Sequence, residues 1–425
     1  MYSSEVINYI IKFLVGEEYS KFIKYTRDLD TNAKIIIYPS CFFDEEIYGT
    51  YRSLPILPLK LIDDIPILFG DNKISVINNK VVIYADFVAS TYFLISKYEE
   101  FILKDKRDKY GRFLCKYSIS GVANFIERPI VDEYSDFLYK LLKNQDIIIP
   151  KKQNGFNKVY LTHDIDVPWE NYSFINACKQ IIRELIDNKC ICISPLLNYF
   201  GSYKFNLYDT FDWLIKQDNK VKKRYDKLCD VIYFMVSTEN KDIITSNYIQ
   251  DRKCDSLIKK IQAQSIIGLH ISYQAFLDSN KISQEKLILE HKLNEEVTIC
   301  RNHFLTSYNP DSLELLISLG VTNDFTQGYA DRVGFKLGTS KSVQYINPEK
   351  IKLTELVLHP LNIMDCSLYD YMNLCTEECI QKCKNIISHV KRHNGDFCFL
   401  IHNGVGKIGK HKWFKEVYEQ VIDML

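Results

Sequence analysis

The residues that could do chemistry gather at the ends of short apolar runs. LTHDID carries His163, Asp164 and Asp166; IGLHISY carries His270; CRNHF carries Arg301 and His303; TNDF carries Asp324; FLIHN carries His402. Two carboxylates two residues apart share a face in extended backbone, so one can hold a metal while the other takes a proton from water. Arginine beside such a carboxylate keeps it ionised and oriented. A histidine at the end of the last run can protonate a leaving group. The bland readings are a helix cap for Asp164 or Asp166, core packing for His270 and a structural ion pair for Arg301 with Asp324.

Those runs alternate with helical spacing. Strands are predicted at 158–163, 230–236, 266–272, 297–303, 321–325, 355–363 and 396–402. Helices are predicted near 170–189, 207–224, 252–264, 282–294, 310–319 and 368–393. Repeated strand–helix units of this length favour a closed or nearly closed parallel barrel, whose catalytic groups stand at the carboxyl ends of the strands. His359 lies within its run and is expected to pack.

Upstream, residues 33–39 and 55–69 read as short strands, 74–85 as a hairpin turning at Asn78-Asn79, 86–103 as helix, and 131–144 as another helix. The polar stretch 151–155 marks a boundary. The expectation is therefore a smaller α/β domain with its connector over 1–150, followed by a barrel over 155–425.

A chain of 425 residues with 46% hydrophobic and 25% charged residues has the make-up of a folded globular protein. Lys plus Arg and Asp plus Glu balance at 54 each, which argues against a nucleic-acid partner. The first 22 residues read as an amphipathic helix, not a signal peptide, and no run is long enough to span a membrane. A cytoplasmic location with reduced cysteines is the expectation. Cys375, Cys379 and Cys383 are spaced along one helical face and read as packing residues. Gly404, Gly406 and Gly409 spell a dinucleotide fingerprint, but too little chain follows for a second strand and an acidic ribose ligand; Lys407 and the loop amides could still meet a phosphate.

Taken in order, LTHDID, IGLHISY, RNHFL, TNDFT, VLHPLNIMD and LIHN resemble the polysaccharide deacetylase (NodB-homology, carbohydrate esterase family 4-like) superfamily. The likeness is greatest to a two-domain bacterial branch found with surface-polysaccharide genes, and it covers about 155–425; the segment YADFVASTYFLISKYEE resembles that branch's N-terminal domain. It implies a distorted (β/α)7 barrel that hydrolyses N-acetyl groups on sugars with a divalent metal, usually zinc. By motif, Asp164 matches the base, Asp166 and His270 metal ligands, Arg301 the residue steadying the base, Asp324 an acidic support and His402 the general acid. Where the family places a second histidine ligand four residues after the first, this chain has Gln274, a weak zinc ligand. His303, where the family has proline, could restore a third ligand, with His163 a weaker substitute. The expected partner is an N-acetylated sugar or glycan precursor. The alternatives are a barrel that only binds carbohydrate or assists assembly, and a deacylase of a non-sugar amide or ester.

Overall fold

The computed structural model describes residues 3–425 except 152, 170–173, 190, 192, 194–195, 197–207, 237–247, 307–309 and 406–412. Its architecture is mixed α/β, in two compact units that do not follow one linear boundary. The first comprises Met1–Phe156, Phe304–Asn362 and His389–Asp396; the second comprises Asn157–His303, Ile363–Ser388 and Phe397–Leu425. Along the chain, the first unit supplies β1 (Ile23–Tyr25), β2 (Ile35–Ile37), β3 (Lys60–Ile62), β4 (Ile65–Ile67), β5 (Gly70–Ile77) and β6 (Lys80–Ala85). The second supplies β7 (Lys158–Ile165), β8 (Cys229–Met235), β9 (Ile266–Ile271) and β10 (Ile299–Asn302). The chain then returns to the first unit for β11 (Asn323–Gln327), β12 (Val343–Asn347) and β13 (Lys352–Pro360). It ends in the second with β14 (Ile363–Met364) and β15 (Asp396–Leu400), of which Asp396 is counted with the first.

In the first unit β1, β2 and β6 run parallel and β5 folds back on β6. Asn78 and Asn79 both take positive φ, as the predicted two-residue hairpin requires. The helix Ser4–Ser20 buries Val6, Ile7, Ile10, Leu14 and Val15. It kinks at Gly16 (φ 78°), which frees backbone carbonyls. The hydroxyls of Ser135 and Tyr139, on the helix Ile130–Lys143, donate to the carbonyls of Leu14 and Val15. The predicted helix over 86–103 breaks instead at Lys97, which is left-handed, into Phe87–Ile95 and Tyr98–Ile102.

Also within this unit, β11 pairs parallel with β13, and β12 pairs antiparallel with β13. The sequence reading had no strand at β12 and expected only parallel partners. Its first residues follow Gly338 and the hydroxyl-rich Thr339–Ser340, which the buried Asp132 carboxylate holds. His359 does pack: its ring stacks on Phe325 at 4.1 Å, with Ser342 Oγ 2.9 Å from Nδ1 and Asn323 Oδ1 2.8 Å from Nε2.

In the second unit β7 to β10 form successive parallel pairs, and β14 pairs parallel with β15. The helices Phe211–Tyr225, Arg252–Gln262, Asn280–Leu293, Thr376–Arg392 and Phe414–Met424 intervene or follow, the residues of Thr376–Arg392 from His389 onward being counted with the first unit. No helix among the described residues is long and apolar enough to cross a membrane. Cys379 and Cys383 are buried and Cys375 is exposed.

Burial pushes the His359 imidazole down to about 3 from 6.5. A folded-state value below the unfolded one means that the unfolded chain binds a proton the native state refuses. This contribution is therefore intact at neutral pH and is lost as pH falls from about 6.5 towards 3. In urea titrations across that window, His359→Gln is expected to lose stability less steeply than the parent, by up to roughly 1.4 kcal/mol per pH unit. Parallel curves would contradict it.

Candidate metal centre and proton-transfer site

The second unit's parallel strands bring the polar ends together. Arg301 is in register with His270 across β9 and β10, so the two side chains leave the same face. Arg301 is fully buried and runs back across the sheet to β7, where Nη1 donates to Thr162 Oγ1 (3.0 Å) and Asp164 Oδ1 (2.8 Å). The guanidinium lies 4.4 Å from the ring centroid of Phe234, on β8. Phe234 fits there because its register partner is Gly268, where a Cβ would stand 2.8 Å from the Phe234 ring.

His270 Nδ1 donates to the backbone carbonyl of Arg301 (3.1 Å), since a carbonyl can only accept. In the neutral ring this leaves Nε2 as a lone pair. It faces Asp166 Oδ1 at 3.3 Å and Asp164 Oδ2 at 3.6 Å. His270 Nε2 and Asp166 Oδ1 are both buried without a hydrogen-bond partner. His303 joins them, with Nε2 3.8 Å from Asp166 Oδ1 and its ring edge-on to that of His270 at 5.3 Å. The next two residues, Phe304 and Leu305, both have positive φ, a strained backbone that turns the chain immediately after this histidine.

Two buried acceptor atoms facing each other require a proton or a cation between them. The donor atoms of Asp166, His270 and His303 all lie within 4.8 Å of one another. Two imidazoles and a carboxylate are a donor set suited to zinc, with positions left for water or substrate. These residues fit a divalent ion. Without one, burial works against the charge on each carboxyl but loses: His303, His270 and His402 hold Asp166 low, and Arg301 with His270 holds Asp164 low. Burial disfavours a proton on His270, yet the two aspartates raise its affinity above the ordinary value. Proton and metal compete for one place.

His402 forms the other half. Its Nδ1 lies 2.8 Å from Asp365 Oδ1, and its backbone N–H donates to Asp365 Oδ2 at 2.8 Å. Burial opposes charging, but Asp365 overcomes it and raises the imidazole well above its usual value. Nε2 is 4.0 Å from Asp166 Oδ2, on a side chain that is 22% exposed and so open to a substrate. A second set of metal-compatible atoms, Asp365, Cys366 and His402, is already committed. Asp365 accepts from His402 twice and from the Cys366 backbone N–H, and burial pushes the Cys366 thiol up to about 11.

Six of the eight residues singled out in the sequence thus meet: Asp164, Asp166, His270, Arg301, His303 and His402. Asp324 is placed in the first unit, where its carboxylate accepts from Thr326 and Gln327. The carboxylate that supports His402 is Asp365. Sequence reasoning missed it because β14, which delivers it, is two residues long. His163 points to Asp218 (3.1 Å) and packs against the tilted ring of Tyr233, and Gln274 Oε1 accepts from Lys281 Nζ at 3.3 Å. Of the glycine-rich stretch, Gly406, Lys407 and Gly409 fall outside the described residues.

Residues 3–147 match a family of unknown function, DUF7033. Among curated proteins no relative matches the chain. The chain is similar to solved structures at low identity. One is a Mycobacterium smegmatis protein provisionally described as a polysaccharide deacetylase (12% identity, 65% of this chain and 88% of that one, TM-score 0.38). Another is a mutant CE4 family pseudoenzyme with restored enzymatic activity (11% identity, 66% and 68%, TM-score 0.30). A third is PuuE allantoinase (12% identity, 65% and 91%, TM-score 0.38).

Two outcomes follow from this geometry. His303→Ala is expected to weaken zinc binding by at least about 100-fold, while His163→Ala retains it; metal analysis after dialysis against a chelator reads both, and equal metal content would contradict the three-ligand centre. Asp365→Asn is expected to lower the pH at which His402 titrates, followed by NMR of the imidazole; an unchanged midpoint would remove Asp365 from its role.

Proposed function

We propose that the protein is a metal-dependent hydrolase that removes N-acetyl groups from a sugar or glycan precursor and releases acetate. The observation that carries this reading is the pair of buried, unpartnered acceptors, Asp166 Oδ1 and His270 Nε2, with His303 beside them. A divalent ion, most suitably zinc, would be held by Asp166, His270 and His303, polarising an acyl carbonyl and acidifying water.

The remaining steps belong to the chain's own groups. Asp164 takes the proton of the attacking water on the oxygen that Arg301 does not hold. Arg301 keeps that carboxylate ionised at neutral pH, and the lower basicity is offset by fixed orientation. His402, charged through Asp365, gives a proton from Nε2 to the departing amine. Arg301 acts as a positioning residue.

The likeness of motif order points to a sugar amide, but the same groups would cleave an ester or a non-sugar amide. The binding-only alternative drew on the absent second histidine, and His303 beside Asp166 weakens its motive. The substrate assigned on this reading is a cytoplasmic precursor, such as a nucleotide- or lipid-linked sugar.

Zinc-loaded protein is expected to release acetate from at least one member of a panel of N-acetylated sugars, nucleotide-linked sugars and chito-oligomers. Both Asp164→Asn and His402→Ala should reduce the rate by about 100-fold or more. Metal binding with cleavage confined to aryl esters or non-sugar amides would overturn the substrate assignment; no cleavage of any acyl compound would overturn the hydrolase.

A further inference from the structure

The loops that follow β1 and β2 enclose a cavity of about 300 Å³ in the first unit, far along the chain from every residue discussed above as catalytic. Because β1 and β2 are parallel, both loops leave the same edge of the sheet, the carboxyl edge, where open α/β sheets take small ligands. The volume is at the low end of the range for small-molecule sites, roughly 300–1,000 Å³.

The floor is fixed by one buried carboxylate. Asp86, directly after β6, accepts from Ser40 N (2.7 Å), Ser40 Oγ (2.7 Å), Tyr25 OH (2.9 Å) and Ala89 N (2.8 Å). It thereby caps the helix Phe87–Ile95 and locks the lining residues Tyr25 and Ser40 in place. The rim is different. Arg27 and Asp44 are each about half exposed and 3.6 Å apart, a pair that contributes little to folding and is free to rearrange around a ligand. Arg27 also donates to the Ser40 carbonyl at 3.3 Å, and Asp28 stands beside it on the same loop.

We propose that this cavity is a second binding site, for a neutral or amine-bearing mono- or disaccharide. One guanidinium against two carboxylates leaves the lining net negative, so phosphorylated or acidic sugars are repelled. Side by side, Arg27 donors and Asp28 and Asp44 acceptors match neighbouring sugar hydroxyls, and the carboxylates suit an ammonium group. Tyr25 and Phe43, both almost fully buried, back the cavity. The site goes beyond the hydrolase reading and does not depend on it.

Saturation-transfer NMR and calorimetry on the full chain test it, with N-acetylglucosamine, glucosamine, chitobiose, glucuronate and glucosamine 6-phosphate as probes. Saturable binding of the neutral or amine-bearing probes is expected, with the acidic probes at least about tenfold weaker. Asp28→Asn with Asp44→Asn should weaken glucosamine by at least about tenfold at an unchanged melting temperature. His303→Ala, which alters the metal centre, should bind as the parent does. If that double substitution lowers the melting temperature, Arg27→Gln read with N-acetylglucosamine provides the same comparison. No saturable binding, binding indifferent to the rim substitutions, binding lost in His303→Ala, or tightest binding of the phosphorylated probe would each overturn the proposal.

Discussion

Everything in the second unit's polar site leans on one buried ion pair, Arg301 with Asp164. A guanidinium with no exposure is tolerable only if its charge is matched and its donors are used. Asp164 and Thr162 use Nη1, and the Phe234 ring carries the plane. Gly268 gives that ring its space. Removing either partner would leave an uncompensated interior charge, a change that typically costs about 3–5 kcal/mol. The same residue works through its backbone as well. Its carbonyl takes the Nδ1 proton of His270 and so turns Nε2 towards Asp166. One arginine therefore sets both the charge of Asp164, the proposed base, and the tautomer of His270, a proposed metal ligand.

The division of labour between carboxylates follows from what surrounds each. Asp164 is paired with a permanent cation, and Asp365 with the main-chain and ring N–H groups of His402. Asp166 keeps a buried oxygen that faces two imidazoles and no permanent cation. Chemistry is thus separated into a place for a cation, a carboxylate held ionised and an imidazole held charged. Environment, not residue type, makes the assignment.

Much of this was legible because the strands that deliver Asp164, His270, Arg301 and His402 are apolar runs with clean ends, and the rule of carboxyl-end chemistry then selects their last residues. Strand alternation turns His163 to the face opposite Asp164, where Asp218 and Tyr233 meet it. Asp365 was hidden because two residues of strand leave no period to read. Asp324 was expected to close the run 321–325, but it is the second residue of β11, and Thr326 and Gln327 donate to its oxygens. The helix break at Lys97 and the antiparallel β12 depend on packing partners distant in sequence, which local patterns do not carry. Likewise, no local pattern signals that 304–362 and 389–396 cluster with the N-terminal segment.

The proposed metal ligands are Asp166, His270 and His303, not Asp365, Cys366 and His402. X-ray absorption at the zinc edge distinguishes them by the scattering neighbours. Two imidazole nitrogens and oxygens at about 2.0–2.2 Å, with no sulfur, is the predicted spectrum. A sulfur shell at about 2.3 Å, or a single imidazole, would contradict it.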